Sequence, residues 1–151
     1  MPDELTELLD TAMYREIVSQ AIYEAGQKKT KNQAAIALMK ELAAEEVQHV
    51  TLLREFKEKK TDKHIYHSEM VPDLMISEYV IGGDGLEASG LQDTLIFAMK
   101  HEQQAVEFYS KMTRILRYDI AKRLCEKLVH EELKHKLRLE TFYDDLFYKE
   151  E

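Results

Sequence analysis

The stretch Glu45-Glu46-Val47-Gln48-His49 decides the fold, because the chain repeats its pattern as Glu131-Glu132-Leu133-Lys134-His135, 86 positions later. The same offset relates positions over a whole helical hairpin without a gap. The matching pairs are Met13/Met99, Glu16/Glu102, Tyr23/Tyr109, Ala35/Ala121, Leu38/Leu124, Leu42/Leu128, Leu53/Leu139 and Phe56/Phe142. The chain is therefore predicted to contain a duplicated helical hairpin. Glu, Glu and His recur with the apolar positions, and a two-metal site between helices uses these side chains.

The composition predicts one all-helical domain. The chain of 151 residues has the length of a single domain with a sizeable core, and only two Pro and five Gly interrupt it. Its net charge of -8 argues against a nucleic-acid-binding protein. No apolar run approaches the roughly 20 residues that cross a bilayer, and the N-terminus is acidic where a signal peptide is basic. We therefore expect a cytoplasmic protein with no membrane and no nucleic acid among its partners.

The single cysteine, Cys125, limits the kind of metal site that the chain can form. It excludes an intramolecular disulfide and a Cys-x-x-Cys metal site, and we expect it to be a buried, unreactive thiol. Any metal must therefore be bound by Glu, Asp and His.

Helical periodicity predicts four helices, at about 4–28, 32–60, 89–114 and 119–147, within a single domain that spans 1–151. Asn32, Ser89 and Asp119 are the predicted N-caps of the last three helices. The region 61–88 contains Pro72 and several Gly and lacks this periodicity, so it is predicted to be a long crossover connection.

The second and fourth helices each carry an inward stripe, whose members alternate in steps of four and three residues. In the second helix the stripe is Ala35, Met39, Leu42, Glu46, His49, Leu53 and Phe56. In the fourth it is Ala121, Cys125, Leu128, Glu132, His135, Leu139 and Phe142. The spacing puts Glu46 on the stripe and its neighbour Glu45 beside it.

The positions of the glutamates predict that the two hairpins form one site. Glu16 and Glu46 are equally far from the first predicted turn, and Glu102 and Glu132 are equally far from the second. In an antiparallel hairpin such pairs lie at the same height. Two hairpins joined by a long crossover make the ferritin-like form of the four-helix bundle. There, all four carboxylates meet both histidines at the bundle centre.

Four buried carboxylates require cations. Without them each unpaired buried charge costs several kcal/mol, and the carboxylates must take up protons. Two divalent metal ions neutralise four glutamates. Imidazole nitrogen with carboxylate oxygen suits iron or manganese, and zinc would also bind. The sequence therefore predicts two iron ions, with Mn or Zn possible in their place.

The whole pattern resembles the ferritin-like di-iron proteins, and most closely the di-iron domain of rubrerythrins. It consists of Glu16, Tyr23 and Glu46-x-x-His49, repeated as Glu102, Tyr109 and Glu132-x-x-His135. The resemblance implies that Glu16 and Glu102 each bind one iron, that Glu46 and Glu132 bridge, and that His49 and His135 complete the coordination. It also implies that Tyr23 and Tyr109 donate hydrogen bonds to the ligands. Both tyrosines could instead be core aromatics.

The chain also departs from the rubrerythrin pattern. It lacks the four cysteines of a rubredoxin-like domain, so reducing electrons must come from an external donor protein such as a rubredoxin. Peroxidase-type rubrerythrins tend to have a further glutamate one turn after the third-helix ligand, where this chain has Ala105. Val47 stands where bacterioferritins have the methionine that binds haem.

The expected function is a rubrerythrin-like oxidoreductase that reduces hydrogen peroxide or dioxygen. Three alternatives stay open. They are a ferroxidase or iron-handling protein, a substrate oxygenase, and a helical interaction module in which metal only adds stability. Glu45 and Glu131 are expected to be exposed or to hydrogen-bond to ligands. A homodimer is also expected, through apolar crossover residues, namely Tyr66, Ile76, Tyr79, Val80 and Ile81.

Overall fold

The computed structural model describes residues 4–59 and 90–148, and these residues form four helices. The helices are α1 (Glu4–Gln27), α2 (Gln33–Lys59), α3 (Leu91–Ile115) and α4 (Asp119–Phe147). The predicted all-α four-helix bundle is confirmed. The crossover, the cap at Ser89 and the apolar residues expected to form a dimer contact lie outside the described residues.

The helix starts show which of the predicted caps form. Asn32 caps α2, because its side-chain oxygen accepts a hydrogen bond of 3.0 Å from the Ala35 amide. The prediction for Asp119 is wrong, since Asp119 is the first helical residue and Tyr118 precedes it without a side-chain cap. The Asp119 carboxylate instead lies in the first turn, where the partial positive charge of the helix terminus stabilises an anion.

The four helices form two hairpins that face each other. α1 packs along α2, α3 packs along α4, and α1 also contacts α3. Side-chain pairs show that α1 and α3 run antiparallel: Tyr109 reaches Glu16, whereas Tyr23, later on α1, meets Glu102, earlier on α3. α2 and α4 approach each other closely at few positions, and the Arg138 side chain of α4 reaches Glu45 on α2.

The core has two apolar layers with a polar layer between them. The first layer includes Leu53, Phe108 and Leu128, and the second includes Met39, Leu95 and Leu139. Charged and polar side chains fill the level between the layers. Burial of the apolar layers is the main force that stabilises the bundle, and it also removes the polar layer from water.

The inward stripe of α2 is confirmed, because all seven of its predicted residues are buried. The stripe of α4 is confirmed from Ala121 to Leu139 but not at its end. There Tyr143 is buried, whereas Phe142 is only partly buried. Phe56 occupies the same step of the α2 stripe and is buried, so the difference is local to the end of α4, where Tyr143 packs against Phe147 and Tyr148.

The outward faces carry mostly charged side chains, with scattered apolar residues such as Tyr14, Ile17 and Leu137. Across the two described ranges, no helix is both long enough and apolar enough to span a membrane.

Candidate metal centre

The polar layer brings together all six residues that the sequence predicts as metal ligands. Each of them is at most 2% exposed. They are Glu16 on α1, Glu46 and His49 on α2, Glu102 on α3, and Glu132 and His135 on α4. Four helices therefore contribute to one buried cluster, although the ligand role of each residue stays a prediction.

Glu46 and Glu132 lie between the two histidines. The imidazole rings of His49 and His135 are stacked, with centroids 5.5 Å apart and an angle of 15° between their planes. Glu46 Oε1 lies 3.0 Å from His49 Nδ1 and 3.2 Å from His135 Nδ1. The corresponding distances from Glu132 Oε1 are 3.2 Å and 3.3 Å. Each of these carboxylates is thus placed to serve both halves of the cluster, as a bridging ligand must.

Glu16 and Glu102 each lie beside one histidine only. Glu16 Oε2 is 3.5 Å from His49 Nδ1, and Glu102 Oε2 is 2.9 Å from His135 Nδ1. The cluster therefore divides into two similar halves, one from each hairpin. Each half supplies one carboxylate and one imidazole of its own and shares the central pair of glutamates.

Both predicted tyrosines lie against a carboxylate of the opposite hairpin. Tyr109 Oη donates to Glu16 Oε1 at 2.7 Å, and Tyr23 lies near Glu102. Burial, followed by the charge of the neighbouring glutamates, raises the pKa of both phenols well above the ordinary value. Both tyrosines therefore keep their protons, and Tyr109 fixes the orientation of the Glu16 carboxylate.

Glu45 and Glu131 approach the outer nitrogens of the histidines. Glu45 Oε1 lies 3.0 Å from His135 Nε2, and its other oxygen accepts from Arg138 Nη1 at 3.1 Å. Glu131 Oε1 lies 3.9 Å from His49 Nε2. A carboxylate behind a ligating histidine fixes the ring and raises its basicity. The side position of both residues was visible in the sequence, but their contacts across the two hairpins were not.

The charges of the cluster perturb one another strongly. Burial, with repulsion between glutamates, raises the pKa of Glu46 and of Glu132 to about 8. The same two causes raise the pKa of Glu102 to about 7. Burial lowers the pKa of His135, but Glu102 and Glu46 outweigh this effect and raise it to about 12. In the absence of metal the cluster is thus held together by protons and charged imidazoles.

The residues present fit two divalent metal ions. Both side-chain oxygens of Glu46 and of Glu132 are buried, and no described residue makes a well-aligned hydrogen bond to them, although their Oε1 atoms lie close to the histidine Nδ1 atoms. The carboxylates and imidazoles of Glu46, His49, Glu132 and His135 offer ligand atoms that all lie within 4.8 Å of one another. Buried acceptors without donors are costly, and cations would satisfy them. Oxygen and imidazole ligands suit iron, manganese or zinc.

A second buried polar group lies next to the cluster, and the sequence analysis did not find it. Arg15 and His101 are each 1% exposed, and Arg15 Nη2 donates to the His101 carbonyl at 3.2 Å. His101 Nδ1 lies 2.9 Å from Ser19 Oγ. Burial and the charge of Arg15 lower the pKa of His101 to about 3. The only sequence signal is that Arg15 and His101 are related by the repeat offset.

The chain is similar to two solved structures. A hypothetical protein from Pyrococcus furiosus matches with a TM-score of 0.71 and 28% identity, over 93% of this chain and 89% of that one. A two-domain protein from Anabaena variabilis contains a DJ-1/ThiJ/PfpI-like and a ferritin-like domain. It matches with a TM-score of 0.71 and 16% identity, over 97% of this chain and 41% of that one. Neither a protein-family model nor a curated protein matches. The fold is therefore ferritin-like, as predicted.

Replacing both central glutamates tests the metal centre. We expect Glu46→Gln/Glu132→Gln to bind no divalent metal, because the amides lack the negative charge that two cations need. The metal-free variant should also be more stable than the native protein at pH 8, on the order of 1 kcal/mol or more, since two repelling carboxylates become neutral. The measurements are metal content after dialysis and urea unfolding of the metal-free proteins.

The matched control is Glu55→Gln/Glu126→Gln, which changes two exposed glutamates on the same helices. It should retain the native metal content and stability. Native metal content in the variant of the central glutamates would contradict the assignment.

The stability of the metal-free protein should fall as the pH rises from about 5 to about 8. The carboxyls of Glu46, Glu102 and Glu132 have raised pKa values in the folded state, and His135 also keeps its proton there. The folded state thus binds more protons than the unfolded state over this range, so proton loss favours unfolding.

Metal should reverse this dependence. Its ligands must lose protons, so metal affinity should increase over the same pH range. Urea midpoints with and without Mn²⁺ measure both effects. A metal-free midpoint that increases with pH would refute the charge arrangement described above.

Proposed function

We propose that the protein is a rubrerythrin-like, non-haem di-iron oxidoreductase that reduces hydrogen peroxide or dioxygen. The observation that carries the proposal is the position of Glu46 and Glu132. Their oxygens lie between two stacked imidazoles and accept no well-aligned hydrogen bond from the described residues. A pair of shared carboxylates of this kind holds two metal ions close together. Adjacent metal ions suit the reduction of a substrate that contains an O–O bond.

Each residue of the cluster would have its own role in binding or orienting the metals. Glu46 and Glu132 would set the separation of the metals, while Glu16 with His49, and Glu102 with His135, would bind one ion each. When bound, two ferrous ions would supply the two electrons that convert peroxide and two protons into two molecules of water. Tyr109 would hold the Glu16 carboxylate in orientation by the hydrogen bond that it donates.

The apolar layers on both sides of the centre would protect the reaction from side reactions. Leu42 and Leu128, which are fully buried, belong to opposite layers. Water exclusion strengthens the electrostatic interactions within a site and prevents loss of reducing equivalents to solvent.

The electrons for the next cycle would come from a separate protein. The sequence contains one cysteine, Cys125, which is buried, so it provides no four-cysteine iron site of its own. The proposal therefore includes an external electron donor such as a rubredoxin. It also includes a cytoplasmic location and a homodimer.

A ferroxidase is the second candidate, and Ala105 favours it. This residue is 1% exposed and lies one turn after Glu102, so the position carries no additional carboxylate. In a ferroxidase the same six ligands would oxidise Fe(II) as the substrate, and the oxidised iron would be passed on or retained instead of being re-reduced.

The first test is anaerobic loading with Fe(II), followed by stopped-flow mixing with hydrogen peroxide or with dioxygen. We expect about two irons per chain. Near-ultraviolet and visible absorption of the oxidised pair should appear much faster with peroxide than with oxygen. Reduced rubredoxin should then restore the ferrous state.

The other outcomes separate the alternatives. Faster oxidation by oxygen with continued uptake of iron supports the ferroxidase. Bound iron that reacts with neither oxidant, in a bundle that unfolds when metal is removed, supports the interaction module and overturns the proposal. The variant with Glu46 and Glu132 replaced by Gln is the control for iron that reacts outside the centre.

A further inference from the structure

The two halves of the centre differ at the buried position that precedes their own carboxylates. Arg15 immediately precedes Glu16, and the residue that the repeat places before Glu102 is His101. Both side chains are 1% exposed. One half therefore has a permanent positive charge next to its own carboxylate, because arginine stays protonated in proteins, and the other half has an imidazole at that position.

Two contacts on α3 fix the position of the guanidinium of Arg15. Its Nη2 donates to the His101 carbonyl on α3 at 3.2 Å, and its central carbon lies 5.6 Å from the centre of the Phe108 ring. Burial lowers the pKa of Arg15 from its ordinary value, while Tyr109 and the carboxylate of Glu16 oppose this shift. The charge is thus shielded from water, and among the carboxylates it acts most strongly on Glu16 and less on Glu132 and Glu102.

The histidines provide a second, independent difference between the halves. The Glu45 carboxylate is 3.0 Å from His135 Nε2, whereas the Glu131 carboxylate is 3.9 Å from His49 Nε2. A carboxylate in hydrogen-bond contact makes a histidine a better metal ligand. The contact of Glu45 with His135 therefore favours metal binding in the half with Glu102 and His135, which is also the half without the arginine.

We propose that the two metal positions are unequal and fill in order. The first divalent ion binds with Glu102 and His135, the second binds with Glu16 and His49, and Arg15 is the main cause of the difference. The inference rests on the proposed two-metal site and adds its order of loading. The guanidinium, which solvent screens poorly, repels a cation in the Glu16 half more strongly than one in the other half. Arg15 interacts more strongly with Glu16 than with Glu102, and His101 adds no permanent charge.

The order of loading can be measured by calorimetric titration of the metal-free, full-length chain with Co²⁺. The native protein should show two steps of different affinity. Glu102→Gln should abolish the tighter step, and Glu16→Gln should abolish only the weaker one. The opposite assignment of the two steps would overturn the inference, and this comparison leaves Arg15 in place.

The role of Arg15 can be tested by removing its charge. Arg15→Met keeps an apolar stem and should strengthen the weaker step by about tenfold or more, so that the two steps approach each other. Arg15→Lys retains the charge and should retain the gap. His101→Gln is the matched control at the related position, and it should leave the ratio of the two affinities unchanged.

Whether the removal of Arg15 strengthens or weakens metal binding shows whether this residue acts through its charge or through packing. If Arg15 only supported the fold, its removal would weaken metal binding, whereas the inference requires tighter binding at the second step. An unchanged ratio in Arg15→Met, with native circular dichroism, would overturn the inference while leaving the two-metal site intact. A native chain that binds no Co²⁺ would overturn both the inference and the proposed function.

Discussion

Four carboxylates repel one another in the same buried layer, and the rest of the structure must compensate for this repulsion. Glu16, Glu46, Glu102 and Glu132 are each at most 1% exposed, and water cannot screen them there. In the metal-free state the imidazoles and bound protons compensate for this repulsion. A buried layer of repelling carboxylates lowers the stability of a helical bundle unless the layer has a function. Its presence between two well-packed apolar layers is therefore an argument for cations at the centre.

The duplicated hairpin explains how so polar a centre can form. Each hairpin has two glutamates and one histidine at mid-helix and buries apolar residues towards both ends, so two copies that face each other bring the six predicted ligands together without further adjustment. The contacts that orient these side chains also cross between the hairpins, as the Tyr109 to Glu16 hydrogen bond and the approach of Glu45 to His135 show. Neither hairpin could therefore assemble the centre alone.

The sequence predicted those parts of the molecule that follow from local periodicity. The buried stripe of α2 was predicted in full, because its apolar steps are regular, and the burial of the six Glu and His residues follows from the stripes and from equal distances to the turns. The same reasoning failed at Phe142, because Tyr143 packs with Phe147 and Tyr148 at the end of α4, a contact that the repeated pattern does not contain. It also missed Arg15, because hydropathy patterns assign arginine to the surface unless a buried partner is known. The contact between Glu45 and His135 depends on the distance between α2 and α4, and local periodicity gives no information on that distance.

Anomalous X-ray diffraction from crystals grown with Mn²⁺ would show whether metal binds in the buried polar layer. We expect two anomalous peaks per chain between His49 and His135, each next to Glu46 and Glu132. The peak on the His135 side should be fully occupied at lower metal concentration. The absence of any peak between the two imidazoles, with metal only on surface carboxylates, would contradict this expectation.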